Sequence, residues 1–185
     1  MKKQTRKLEP PSSTYLLAVL PPSTIQDEVT AFKQQALERF KTGHALTAPP
    51  HITLLPPFRS SRTDFSILHE FAAQQSPIDI QLKGFDRFDQ RVIFVDVAPN
   101  EYLTSLQKNL ELYAHYHLGI EPEYRPFRPH MTVAFKDLKR PAFPEAWAYF
   151  AEQPYDRSFT ADAICMLKHN GSTWDVVEQW SLSNN

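Results

Sequence analysis

The sequence predicts a duplicated α+β fold, and three observations carry that prediction. A proline–histidine–apolar–threonine stretch occurs twice, as Pro50-His51-Ile52-Thr53 and as Pro129-His130-Met131-Thr132. The segments around the two copies repeat one order of elements: strand, helix, motif strand, helix, strand, strand, with the strand at 91–97 opening the second half. No Gly/Ser-rich or low-complexity linker separates the halves, so they are expected to pack as one body of two pseudo-repeated lobes, about 12–90 and 91–183.

Residues 15–20 form a wholly apolar run of strand length, stopped by Pro21-Pro22. Ser23 or Thr24 then suits the cap of a helix with Ile25, Val29, Phe32, Ala36, Leu37 and Phe40 on one face, ended at Gly43. The first motif strand covers 51–55 and is closed by Pro56-Pro57. A weaker helix spans about 64–75, with Phe65, Leu68, Phe71 and Ala72 inward. Residues 78–85 alternate apolar and polar as a half-buried strand does, and 91–97 is the expected hairpin partner.

In the second half Asn100 is placed to cap a long helix with Leu103, Leu106, Leu110 and Tyr113 on one face, ended by Gly119. A loop over 120–129, bearing prolines and arginines, leads into the second motif strand. A helix around 143–152, a strand near 159–168, a turn at 169–172 and a last strand over 174–182 follow.

Side chains on a strand alternate faces, so the histidine and threonine of each motif share one face while Ile52, Leu54, Met131 and Val133 take the other. Each motif therefore presents an imidazole and a hydroxyl side by side, backed by core residues. A proline before the histidine suits a strand start, where its missing N–H costs little.

Composition removes several classes of function. Apolar residues at 42% and charged residues at 22% are those of an ordinary globular chain, and a net charge of −1 is unsuited to long nucleic acid held by counterion release. No DNA partner is expected. The single cysteine, Cys165, excludes an internal disulfide and a cysteine-based zinc knuckle, and its apolar flanks predict a buried, non-catalytic thiol. With four glycines there is neither a phosphate-cradling P-loop nor a dinucleotide fingerprint. No run reaches membrane-spanning length. Lys2, Lys3, Arg6 and Lys7 precede too short an apolar run for a signal peptide; residues 1–11 are read as a basic, disordered tail, and the cytoplasm as the expected location.

The paired His-x-Thr motifs, in duplicated α/β halves, give the chain a resemblance to the 2H phosphoesterase superfamily, which includes the 2′-5′ RNA ligase-like proteins and cyclic nucleotide phosphodiesterases. The resemblance covers roughly residues 15–182. It implies a bilobal fold with a pseudo-two-fold axis and two mainly antiparallel sheets facing a central cleft, with helices outside. It also implies hydrolysis of cyclic phosphates or phosphodiesters without a metal or other cofactor, with His51, Thr53, His130 and Thr132 as the catalytic residues. Ligase-like members often carry an arginine at the end of the second motif strand. Phe135 stands there in this chain, followed by Lys136, which turns the expectation toward small cyclic phosphates.

Hydrolysis of a 2′,3′-cyclic phosphate needs one proton removed from water and one delivered to the leaving ribose oxygen. Imidazole, with a pKa of about 6.5, serves either role near neutrality. The threonine hydroxyls can donate to non-bridging oxygens as charge builds there. His51 as the proton donor and His130 as the base is the expected order, although the motif's symmetry leaves both orders open. Phe135, Tyr15 and Phe58 are candidates for stacking on a nucleobase, and Arg128, with Arg125, for contacting phosphate. The other five histidines, at 44, 69, 115, 117 and 169, are read as structural. The expected partner is a small nucleotide cyclic phosphate or an RNA terminus, bound by a monomer. A non-catalytic nucleotide or RNA-end binder, and 2′-5′ RNA ligation, stand as the alternatives.

Overall fold

The computed structural model describes residues 11–183; the basic stretch with Lys2, Lys3, Arg6 and Lys7 lies outside them. The chain runs β1 (Ser13–Val19), α1 (Ser23–Phe40), β2 (Ile52–Ser60), α2 (Ile67–Ala72), β3 (Ile78–Phe88) and β4 (Val92–Val97). It continues as α3 (Glu101–Leu118), β5 (His130–Ala134), α4 (Phe143–Ala151), β6 (Asp156–Ala161), β7 (Ala163–His169) and β8 (Trp174–Ser181). Short 3-10 turns lie at His44–Thr47 and Arg140–Ala142. The strands build two four-stranded antiparallel sheets, ordered β2-β1-β7-β8 and β5-β4-β3-β6. This is the expected α+β architecture. No helix among the described residues is long and apolar enough to cross a membrane.

The sheets are not the two halves of the chain. β3 leaves the first half to pair with β4 and β6, while β7 and β8 return to pair beside β1. The strand expected near 159–168 is therefore two strands in different sheets. Its residues record the change: Asp156–Ala161 is mostly exposed, as an edge strand is, whereas the first five residues of Ala163–His169 are all buried. The Leu182 N–H donates to the Asp162 carbonyl at 2.7 Å and holds the crossing point.

Pro56-Pro57 does not close the first motif strand, which runs on to Ser60. β2 is an edge strand, so an absent N–H on its outer side breaks no ladder bond. Toward β1 the register slips between the Leu17↔Leu55 and Tyr15↔Phe58 pairs, and the bulge absorbs the extra residue.

Helix ends follow the sequence unevenly. Asn100 caps α3 as expected, accepting the Leu103 N–H at 3.0 Å, and Gly119 ends the helix at φ +67°. The α1 N-cap is Pro22 rather than Ser23 or Thr24; its carbonyl accepts the N–H groups of Ile25 and Gln26, both at 3.0 Å. That helix ends on Lys41 in the left-handed region, not on Gly43. A Cβ at position 43 would meet the Leu37 Cδ1 at 2.9 Å, a contact that this exposed, flexible side chain can relieve.

The long helices decide where the motifs go. α1 packs against β5, and α3 against β2, so each helix of one half lies on the motif strand of the other. One face of each sheet feeds a shared main core, in which Ile52, Leu54, Ile93, Val95, Met131 and Val133 meet Leu103, Leu106 and Leu110, while Leu16, Ala18, Cys165 and Leu167 form a smaller separate cluster. Burial of that kind contributes about 25 cal/mol per Å² of apolar surface removed from water. Gln107, buried on α3, donates to the Leu54 carbonyl at 3.3 Å and ties the helix to β2.

Asn100 also donates from Nδ2 to the Asp79 carbonyl of β3 at 2.8 Å, so one side chain caps a helix and fastens it to a sheet. Asn100→Ala is expected to lower stability by about 1–2 kcal/mol. Urea unfolding should show a lower midpoint at unchanged slope.

Candidate active site

The motif strands β2 and β5 are each the edge of their sheet, and they adjoin. His51 stands immediately before β2 and His130 opens β5. Both imidazoles and both hydroxyls, Thr53 and Thr132, are half-buried, while Ile52, Leu54, Met131 and Val133 between them are fully covered. The expected alternation of faces is present in both strands.

The two imidazoles are held alike. His51 Nδ1 lies 2.7 Å from the Pro49 carbonyl, and His130 Nδ1 lies 2.7 Å from the Arg128 carbonyl. A carbonyl oxygen only accepts, so Nδ1 carries the proton and Nε2 is left to take or give one. The preceding proline prepares this bond. Its ring fixes φ, and it biases the residue before it toward extended backbone, which suits a carbonyl turned back under the imidazole.

The charge around the two rings differs. Burial pushes His51 down to about 4 against the bond to the Pro49 carbonyl, which favours the charged ring; the Lys33 ammonium and a proton on His130 act in the same direction as burial. Lys33 projects from α1 with only 3% of its surface exposed, donates from Nζ to the Ala48 carbonyl at 2.9 Å, and is itself pushed down to about 8 by burial. His130 is also lowered by burial. Its hydrogen bond to the Arg128 carbonyl and the Asp96 carboxylate favour the charged form, and the Arg128 guanidinium opposes it.

His130 sits against Phe88 and Phe94, with ring centroids 4.8 and 4.9 Å away. Arg128 lies over the same two phenyl rings, 5.2 Å from each centroid, and pairs with Asp86. Asp96 is the cross-strand partner of His130, and burial raises its carboxyl above the ordinary range. Among the described residues no three His, Cys, Asp or Glu side chains converge as a metal ion would require.

The profile of the 2′-5′ RNA ligase superfamily matches residues 21–173, nearly the whole span from the end of β1 to the start of β8. The chain belongs to that superfamily, the 2H phosphoesterases. A Bacillus pumilus protein named "Putative phosphoesterase" is 33% identical over 176 residues, covering 91% of this chain and 96% of its own length. A Geobacillus kaustophilus protein of similar name is 30% identical, covering 89% and 93%. The fold is shared with TT0787 of Thermus thermophilus at TM-score 0.64, 18% identity and coverage of 93% and 99%. It is shared too with Escherichia coli LigT complexed with 3′-AMP, at TM-score 0.66, 16% identity and coverage of 94% and 99%.

The other residues singled out in this 2H chain are scattered. Arg128 is beside His130, as described. Phe135 packs edge-on against His44, 5.1 Å between centroids, and walls a groove of about 470 Å³ with Gln90, Arg91, Lys136 and Arg140. Simple alternation would put Phe135 on the core face. The register slip between Ile93↔Ala134 and Phe94↔Thr132 leaves Val133 unpaired and returns Phe135 to the face of Thr132. Tyr15 and Phe58 pair with each other at the far end of β1 and β2, packed with Phe65. At about 3.3 Å per residue they lie some 20 Å along the strand from His51. Arg125 is exposed and bound to Glu123 at 2.7 Å. Burial lifts the Cys165 thiol to about 11, consistent with an inert side chain.

Lys33 is the residue the sequence reading passes over. It lies four residues after Val29, three before Ala36 and seven before Phe40, squarely on the buried stripe of α1. Leu37, assigned to that stripe, is 38% exposed instead. A lysine on an apolar helical period is the signal.

One further contact links the motifs. Asp137, three residues past β5, accepts the Thr42 hydroxyl at 2.6 Å and the N–H groups of Gly43 and His44 at 2.9 and 3.0 Å. The exit of the second motif is thereby bound to the approach to the first. Burial works to raise this carboxyl, but the three donors outweigh it and hold it below the ordinary 3.8. A lowered carboxylate stabilises the fold above its unfolded pKa and loses that contribution as pH falls through the folded value. Asp137→Asn should cost about 1 kcal/mol at pH 7, a modest figure because the residue is exposed. In denaturation at several pH values the gap to the unaltered protein should close below about pH 4.

Proposed function

We propose that this 2H phosphoesterase hydrolyses 2′,3′-cyclic phosphates, of nucleotides or of RNA ends, by two-histidine general acid–base catalysis without a metal. The observation that carries the reading is the matched bond at each Nδ1. Two imidazoles on adjoining edge strands each keep Nε2 for proton transfer, one to accept from water and one to donate to the departing ribose oxygen. In-line displacement at phosphorus asks for such a pair on opposite sides of one anion. Thr53 and Thr132, stiff at χ1, supply hydroxyl donors beside them for the non-bridging oxygens.

The groove along Phe135 supports a nucleotide as the substrate. An aromatic face next to Arg91, Lys136 and Arg140 suits a base with additional phosphate. Arg128, already stacked over the rings that flank His130, would contact the scissile phosphate by exchanging Asp86 for it. The 3′-AMP in the LigT complex is a ligand of the product class this reaction would yield.

His51→Ala and His130→Ala should each lower kcat/KM on a 2′,3′-cyclic nucleotide by about a hundred- to ten-thousand-fold, with chelators leaving the unaltered protein's rate unchanged. The pH profile of kcat/KM should be a bell. Its rising limb follows deprotonation of the base and its falling limb deprotonation of the acid. Because both free imidazoles are held below 6.5, the maximum should lie on the acid side of that value. Nucleotide binding with no product would favour a binding protein instead.

Phe135→Ala should raise KM for a purine cyclic nucleotide several-fold more than for ribose cyclic phosphate. Equal effects would remove Phe135 from the site.

A further inference from the structure

The second motif strand leads straight into a strained turn. Beyond Ala134 the Asp137 N–H donates to the Phe135 carbonyl at 2.7 Å, closing a three-residue turn about Lys136, which stands at φ +63°. Glycine takes such a conformation freely and lysine does not. Asp137 holds it in place: the Thr42 hydroxyl and the Gly43 and His44 N–H groups donate to its carboxylate, and the His44 ring lies edge-on to Phe135. Disfavoured backbone that its surroundings over-determine clusters at ligand sites.

The turn walls the groove of about 470 Å³ already described, and the charge of that groove is one-sided. Arg91 enters it from the β3–β4 hairpin, Lys136 from the turn, and Arg140 from the 3-10 turn beyond, while no carboxylate lines it. Among the described residues none of these three cations forms an ion pair, whereas Arg125, Arg128 and Arg157 each hold a carboxylate. Three unpaired cations from three segments, converging beside an aromatic ring, suit an anion with several acceptor oxygens. Phe135 shares a face with Thr132 and lies three residues past it. At about 3.3 Å per residue the groove begins some 10 Å from that hydroxyl, within the span of one nucleotide.

We infer that this groove is a subsite for a second phosphate, so that the preferred substrate is a 2′,3′-cyclic phosphate carrying a further phosphate on its 5′ side rather than a simple nucleoside 2′,3′-cyclic phosphate. The inference rests on the hydrolysis set out above and narrows its substrate class. Arg91 and Arg140 offer forked donors, Lys136 a point charge, and Phe135 a face for the base between the two phosphates. The second phosphate is either a terminal monoester or the diester that links the last two nucleotides of an RNA end.

Full-length protein is assayed on adenosine 2′,3′-cyclic phosphate, on its 5′-phosphorylated form, and on a diadenosine ending in a 2′,3′-cyclic phosphate. Expected is a kcat/KM about tenfold higher for one of the two phosphate-bearing substrates, carried by KM. The better of the two identifies the source as monoester or diester. Arg91→Ala, Arg140→Ala and Lys136→Gly should each cut that advantage by about threefold. Lys136→Gly removes a cation at a φ that glycine prefers, so its Tm should hold or rise and a loss there is not unfolding. Lys108→Ala removes an exposed cation from α3 and should keep the advantage whole. No advantage in the unaltered protein, an advantage untouched by the three groove variants, or an equal loss in Lys108→Ala overturns the subsite and leaves the two-histidine reading standing. Failure to cleave any cyclic phosphate counts against that reading instead, and calorimetry then decides the groove. Adenosine 3′,5′-bisphosphate should bind about tenfold tighter than 3′-AMP to the unaltered protein, and lose most of that margin in Arg140→Ala. Equal affinities overturn the inference.

Discussion

A hydrogen bond from each histidine Nδ1 to the carbonyl two residues upstream is the constraint on which the site depends. It fixes which ring nitrogen is free, and it fixes the ring's direction relative to the strand that follows. Proline makes the bond local. A pre-proline residue held near extended backbone, then a residue with one allowed φ, leaves the carbonyl little freedom to turn away. The tautomer is thus written into a tripeptide, and the rest of the fold has only to bring two such tripeptides together.

The fold does so by placing both at sheet edges. β2 and β5 each lack an outer neighbour in the ladder, and each is covered by the long helix of the opposite half. An exposed edge is ordinarily a liability, since unpaired backbone invites another strand. Here the prolines in β2 blunt one edge, and the approach of the second motif occupies the space beside it. Asp137 then binds the outgoing end of one motif to the incoming end of the other.

Much of this was legible in the sequence because it is local. The His-x-Thr pairs, the alternation around them, the Asn100 cap and the Gly119 stop each follow from a few adjacent residues. What was not legible depends on partners distant in the chain. The break at Asp162 falls inside one continuous β-rich run, and only the choice of sheet on either side makes it two strands. Phe135 reaches the face of Thr132 through a bulge that leaves no mark in composition. Tyr15 and Phe58 were candidates as aromatics able to stack on a base, yet their pairing and the strand rise carry them to the other end of the sheet. Lys33 was hidden by the habit of assigning charge to the wet face of a helix, although its spacing from Val29 and Phe40 told otherwise.

A buried ammonium without a carboxylate costs several kcal/mol in desolvation, roughly, even after local hydrogen bonds are counted. A fold that keeps one must gain elsewhere, and the shared core shows how it can. Strand β3 and the pair β7–β8 are exchanged between chain halves, so the two sheets draw on one hydrophobic cluster. Opening the cleft would expose apolar surface on both sides at once, which opposes hinge motion between the lobes. The relative placement of the two motif strands is therefore set by packing. The same packing leaves different charges near the two rings: the Lys33 ammonium works against a proton on His51, while on His130 the Arg128 guanidinium opposes a proton and the Asp96 carboxylate favours one.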